Sequence, residues 1–203
     1  SQELTGSQPN ILATLPDAKA VNQFFFDNQR LQFYLQSYSG ELYRYSINNE
    51  KLTLLDQNNS FPVSTGLSIF GDTLYLLDPA DQEIWKYPIT NDGLGEAGRF
   101  LKKAAPFIAN SHGMAIDGAI YIWQKNGTVN QLIRGNSTNF KLSGPSKPFD
   151  QITESAGFMA EEEASVYYLI DKGSEKINPR VLEYDGQGQF SHQFWLPAKW
   201  QNQ

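Results

Sequence analysis

The chain has 203 residues, 40% hydrophobic and 13% aromatic, with a net charge of −6 and no cysteine. The missing cysteine excludes disulfides, zinc–thiolate sites, iron–sulfur clusters and cysteine nucleophiles. An acidic balance without any Lys/Arg cluster argues against nucleic acid or an anionic membrane surface as partner. No window approaches the ~20 consecutive apolar residues of a membrane helix, so direct membrane insertion is not expected.

Taken from the start, residues 1–9 are polar and read as a disordered N-terminal segment; residues 10–197 read as one domain and 198–203 as a C-terminal tail. Ile11-Leu12-Ala13-Thr14-Leu15-Pro16 has the pattern of a fourth strand that precedes the first full repeat. It either pairs with the last repeat to close a ring or ends an earlier repeat of a longer array.

Four copies of one strand–turn–strand phrase follow. They begin at Phe33-Tyr34-Leu35, Leu74-Tyr75-Leu76, Ile120-Tyr121-Ile122 and Tyr167-Tyr168-Leu169, which puts the matching tyrosines 41, 46 and 47 residues apart. A period in the forties built from short strands is the signature of β-propeller blades. Each phrase has a lead-in strand before it, and Gly66, Gly113 and Gly157 align there, as expected where strands converge and a Cβ would clash. Turn residues join first to second strands at Asp27-Asn28, Gly71-Asp72, Asp117-Gly118 and Glu161-Glu162-Glu163. Fourth strands are predicted at Leu52–Leu55, Arg99–Leu101, Asn139–Leu142 and Phe190–Leu196, and no stretch sustains a helical period. The expected fold is all-β, a propeller of about four four-stranded antiparallel blades, as a complete small ring or part of a larger one.

This grammar of Gly-apolar lead-in, Asp-Gly hairpin and apolar-Tyr-apolar second strand resembles the NHL/YVTN-like class of propellers. More narrowly, Asp117–Ile122 with Asn126-Gly127-Thr128-Val129 is similar to extracytoplasmic propeller segments that follow PPM-type phosphatase modules in some bacteria. The resemblance covers residues 60–196 best. It implies an extracytoplasmic or cell-surface location, the cytoplasm remaining open, and any phosphatase chemistry elsewhere, since no metal-binding aspartates of such a module occur here.

Several motifs invite a chemical reading. Gly93-Leu94-Gly95-Glu96-Ala97-Gly98 fits G-x-G-x-x-G, but a dinucleotide site needs a following helix, and Arg99-Phe100-Leu101 is strand-like. Ser111-His112 with Asp117 nearby suggests a triad, yet chain neighbours do not usually aim their side chains at one another. Glu161-Glu162-Glu163 lacks the spacing of a cation loop, and Asp185-Gly186-Gln187-Gly188 is a hairpin turn. Trp85 and Trp123 belong to regular strands, whereas Trp195 and Trp200 are freer to form a contact surface.

The lead-in segments place Thr65, Asn110, His112 and Glu154 on one rim as ligand-binding candidates. The expected function is a non-catalytic binding or scaffolding module, with a protein or small molecule as partner and with no cofactor, metal or catalytic residue. The alternative is a propeller-type hydrolase or lyase that works through the same rim residues.

Overall fold

The computed structural model describes residues 20–55, 61–144, 155–161, 166–173 and 178–195. The N-terminal strand expected at residues 11–16, the candidate Glu154, and Trp200 lie outside them. Two compact units divide the chain, Ser1–Val63 and Ser64–Gln203.

The first unit holds one antiparallel sheet in the order β1 (Val21–Asp27), β2 (Gln32–Ser37), β3 (Leu42–Ser46) and β4 (Lys51–Leu54). Alternation divides its faces, because opposed residues of an antiparallel pair point the same way. Phe24 and Phe26 stand opposite Leu35 and Phe33, which in turn oppose Tyr43 and Tyr45. The other face carries Tyr34, fully buried, whose hydroxyl donates to the Gln32 side chain at 3.1 Å. Gly40 turns between β2 and β3 at φ +90°, and a Cβ there would sit 2.7 Å from the Phe61 carbonyl oxygen. Glycine is needed at that position on both counts.

The second unit holds three sheets. The first is built from β5 (Gly66–Phe70), β6 (Thr73–Asp78) and β7 (Glu83–Thr90), with two short strands, β8 (Gly93–Leu94) and β9 (Gly98–Arg99), both paired to β7. The next is β10 (Ser111–Ile116), β11 (Ile120–Gln124), β12 (Val129–Ile133) and β13 (Asn136–Ser137). The last is β14 (Ser155–Glu161), β15 (Val166–Asp171), β16 (Arg180–Tyr184) and β17 (Phe190–Trp195). Every sheet is an antiparallel meander in chain order, apart from β9, which returns to β7; this is the pattern of a propeller blade, and the all-β expectation holds. A 3-10 turn at Pro106–Asn110 is the helical element among the described residues.

Neighbouring sheets of this unit pack face to face, with β10 in contact with both β5 and β14. Leu77 and Ile84 of one sheet meet Met114, Ile120, Ile122 and Leu132 of the next in a common core. On its other side that next sheet sets Tyr121 and Val129 against Phe158, Tyr167, Leu169, Leu182 and Tyr184. The repeated second-strand tyrosine therefore faces the sheet that follows. The Tyr121 hydroxyl lies 3.1 Å from the Tyr167 hydroxyl and accepts from Gln131 Nε2, itself tied to Thr138 through its other amide atom. Burial pushes the Tyr121 pKa well above the usual phenol range.

The fourth strand expected at Asn139–Leu142 lies instead at Asn136–Ser137. Arg134 and Gly135 both take positive φ, 50° and 81°, which makes a tight two-residue hairpin turn directly after β12. Phe140 and Leu142, freed from the ladder, pack onto the core around Tyr121 and Tyr167.

Candidate functional site

Pairing fixes which ends of the sheets come together. Gly66 opposes Leu77, so the start of β5 lies beside the end of β6 and the Asp78–Glu83 turn. Ser111 opposes Gln124 in the same way, and Ser155 opposes Asp171. One rim of the second unit therefore carries the first-strand lead-ins together with the turns between second and third strands.

A β-bulge recurs at this rim. The ladder register shifts between Ser111 and Gly113 and again between Ser155 and Gly157, which leaves His112 and Ala156 as the extra residues. Thr65 holds the matching position, its backbone N–H donating to the Leu77 carbonyl at 3.0 Å just before Gly66 pairs with the same residue. Bulges are used to re-aim side chains at the ends of strands. The first unit has the same shift between Val21 and Gln23.

The rim candidates occupy distinct places. Thr65 is half-buried, and its Oγ1 lies 3.1 Å from the buried Ser111 Oγ, a link between two sheets. Asn110 is exposed at the end of the 3-10 turn, and His112 is half-buried in the bulge. Counting from the aligned glycines, Glu154 precedes Gly157 by three positions, where Thr65 and His112 precede theirs by one. The true counterpart of Thr65 and His112 in the last sheet is Ala156.

Two buried carboxylates stand at the same rim, Asp78 and Glu83, opposed in the ladder. Their oxygens already accept from protein donors. Asp78 Oδ1 accepts the Ala80 and Asp81 N–H groups, and its Oδ2 accepts Trp85 Nε1 at 3.3 Å. Glu83 Oε1 accepts the Ile84 and Leu101 N–H groups, and Arg99 lies 3.7 Å from Oε2 while covering the Trp85 ring. These carboxylates shape the turn and hold β9 in place. In the last sheet Asp171 has the corresponding position and accepts from the Gly173 N–H and from Arg180 Nε at 3.1 Å, both partners fully buried. Among the described residues no group of three or more His, Asp or Glu side chains is placed to hold a metal ion.

The remaining motifs resolve into turns. Gly93–Gly98 runs through β8 into β9 with no helix after it, and Gly95 N–H donates to the Pro88 carbonyl. Asp117 caps its own hairpin through the Ala119 N–H, at the opposite end of the sheet from Ser111. His192 is exposed and bonds Ser191 and Glu183. Trp195 lies beneath the Arg180 guanidinium.

Ser64 and Ser111 of the lead-in segments are both buried at the rim. Ser64-Thr65-Gly66, Ser111-His112-Gly113 and Ser155-Ala156-Gly157 repeat Ser-x-Gly in step with the blades.

No protein-family model matches the chain, and no curated protein matches it either. Solved structures do. A chain of a crystal structure of a nidogen/laminin complex superposes with a TM-score of 0.57 over 81% of this chain at 14% identity. The fold is a β-propeller. This chain spans 60% of the length of that neighbour. A shared fold selects no single function.

Proposed function

We propose that this chain is a non-catalytic binding module that recognises a protein partner through the rim carrying Thr65, Asn110 and His112. The observation that carries the reading is the commitment of the rim carboxylates. Asp78 and Glu83 spend their oxygens on backbone and indole N–H groups, so they stiffen the rim instead of offering an acid or base. The rim carries the exposed Asn110, the half-buried His112 and Thr65, whose hydroxyl is bridged to Ser111, on short segments suited to recognition. The similar chain in the nidogen/laminin structure belongs to a protein complex, which is consistent with a protein partner. We further infer an NHL/YVTN-like module in an extracytoplasmic part of a larger bacterial protein, on the strength of the phrase Asp117–Val129 alone.

The test places a photo-activated cross-linking residue at Asn110 and, as a control, at the exposed Asp92 in the β7–β8 turn. A discrete protein adduct from position 110, absent from position 92 and weakened by His112→Ala, is expected. Equal or no labelling from both positions would remove the rim from consideration. Turnover of an esterase, glycosidase, lyase or phosphatase substrate that vanishes in His112→Ala would move the chain to the hydrolase or lyase class.

A further inference from the structure

Charge is not spread evenly along this chain. Between Arg99 and Gly144, the stretch that holds β10–β13 with its entry and exit segments, there are six basic residues and a single acid, Asp117. That stretch carries +5 inside a chain of net charge −6, so the remainder carries −11. A local cationic surface on an acidic body steers and orients anionic partners.

Folding sorts these cations. Arg99 covers the Trp85 ring and lies 3.7 Å from Glu83. Lys125 sits at the rim in the β11–β12 turn, and Lys141 lies where the chain passes Gly188 and the Asp185 turn. Lys102, Lys103 and Arg134 come from separate segments and are brought together. The Lys102 backbone N–H donates to the Gly135 carbonyl at 3.0 Å. Gly135 is buried at φ +81°, and a Cβ there would collide with the Phe100 carbonyl oxygen, so the turn sits directly on the segment that leaves β9. The Lys102 Cγ lies 3.2 Å from the same point, which carries its aliphatic stem across the turn that holds Arg134. Asn136 Nδ2 donates to the Arg134 carbonyl at 3.3 Å and ties the turn further.

All three cationic side chains are exposed, and none pairs with a carboxylate among the described residues. Ile133, 46% exposed, adds an apolar contact beside Arg134. The patch lies at the end of β12 away from the rim, since Val129 opens that strand opposite Trp123 at the rim end. Both faces of the sheet are packed by sheets of its own unit.

We propose that Lys102, Lys103 and Arg134 form a second interaction surface, distinct from the rim, that takes an acidic segment of a protein partner. A short run of Asp or Glu matches it in charge and size. The lysines attract carboxylates as point charges, and the Arg134 guanidinium takes one through two parallel N–H donors. A nucleic acid fits less well, because duplex charge recurs about every 1.7 Å and would run from three cations onto the acidic remainder of the chain. The bond between Lys102 and Gly135 holds both segments in place before binding, which lowers the ordering cost.

Fluorescence anisotropy of a labelled oligo-glutamate peptide, titrated with the chain at low and at physiological salt, tests this. Saturable binding that weakens as salt rises is expected. Lys102→Gln or Arg134→Gln alone should weaken it about two- to fivefold. Lys102→Glu with Arg134→Glu should abolish it while the strand-dominated circular dichroism stays intact. Lys51→Glu with Lys141→Glu makes the same change in net charge at exposed positions elsewhere and should leave binding close to wild type. His112→Ala should also leave it unchanged, which separates this surface from the rim. No binding by the wild type, equal losses in the two double variants, or a loss in His112→Ala would overturn the proposal. So would a single-stranded oligonucleotide of equal charge that binds more tightly than the peptide through the same residues, since the surface would then belong to nucleic acid.

Discussion

Asp171 and Arg180 give a quantitative test of how the last blade is held together. Both are fully buried, their Nε–Oδ2 distance is 3.1 Å, and they are direct partners across β15 and β16. Asp171 also accepts the Gly173 N–H at 3.1 Å, while Arg180 Nη1 donates to Gln193 Oε1 at 3.2 Å and the guanidinium covers Trp195. Asp171→Asn keeps the shape and leaves an acceptor for the Gly173 N–H, so it removes the charge and little else. Stripping one partner from a buried pair costs about 3–5 kcal/mol, because the survivor stays desolvated and uncompensated. At roughly 2–4 °C per kcal/mol for a chain of this size, the melting temperature should fall by about 6–20 °C. Asp171→Asn with Arg180→Met removes both charges, and the double variant should recover most of the loss, as apolar replacements of buried pairs often do. Urea unfolding followed by circular dichroism and tryptophan fluorescence measures both, with coincident transitions as the check on two-state behaviour. A single variant within about 0.5 kcal/mol of wild type, the range of ordinary surface changes, would refute the reasoning. So would a double variant whose loss equals the sum of the two single losses, since contacting residues should couple.

Gly66→Ala should destabilise by about 1–3 kcal/mol through overpacking against Met114, whereas Gly157→Ala, which among the described residues meets a movable Ile170 tip, should stay near wild type in the same assay. Tyr121→Phe should cost about 1–3 kcal/mol by leaving Gln131 and Tyr167 short of a buried partner, and Tyr121→Phe with Tyr167→Phe should cost less than the two added. Stability should also fall in alkali. Burial pushes the Tyr184 pKa up to about 12, against about 10 in an unfolded chain. The folded state then holds a proton that the unfolded state has lost, so the contribution is complete below pH ~10 and is lost as pH rises through the folded value. Tyrosinate absorbance against denaturation midpoint tests this, and stability that is flat or rising across that window would contradict the burial of Tyr184.

The blades were legible because their grammar is written in local chemistry. A lead-in glycine, an Asp-Gly hairpin and an apolar-Tyr-apolar strand each answer to backbone geometry or to the two-residue period of a strand, and these place β5, β6, β10, β11 and β15. Alignment of the lead-in segments groups Glu154 with Thr65 and His112, whereas the unit that repeats in the ladder is the bulge one residue before the glycine, and a bulge adds a residue to one strand without leaving a compositional mark. The fourth strand after β12 was placed three residues late for a similar reason. Arg134-Gly135 does not resemble an Asn-Gly or Asp-Gly turn, and an arginine at φ 50° is held there by the ladder that β13 makes with β12. The rim shows the same division. Ser64 and Ser111 belong to the lead-in phrases, and the repeated Ser-x-Gly marks them as a pair buried at corresponding places. Asp78 and Glu83 act as scaffolding, because a carboxylate's role is fixed by the donors that reach it, and sequence alone does not show those donors. If the rim is the recognition surface proposed above, its rigidity is made by buried polar groups. A substitution at Asp78 should therefore weaken partner binding as much as one at the exposed Asn110, through a loosened turn in place of a lost contact. Cross-linking from position 110 in an Asp78→Ala background measures that: undiminished labelling would separate the turn from the site, and reduced labelling on an intact strand spectrum would join them.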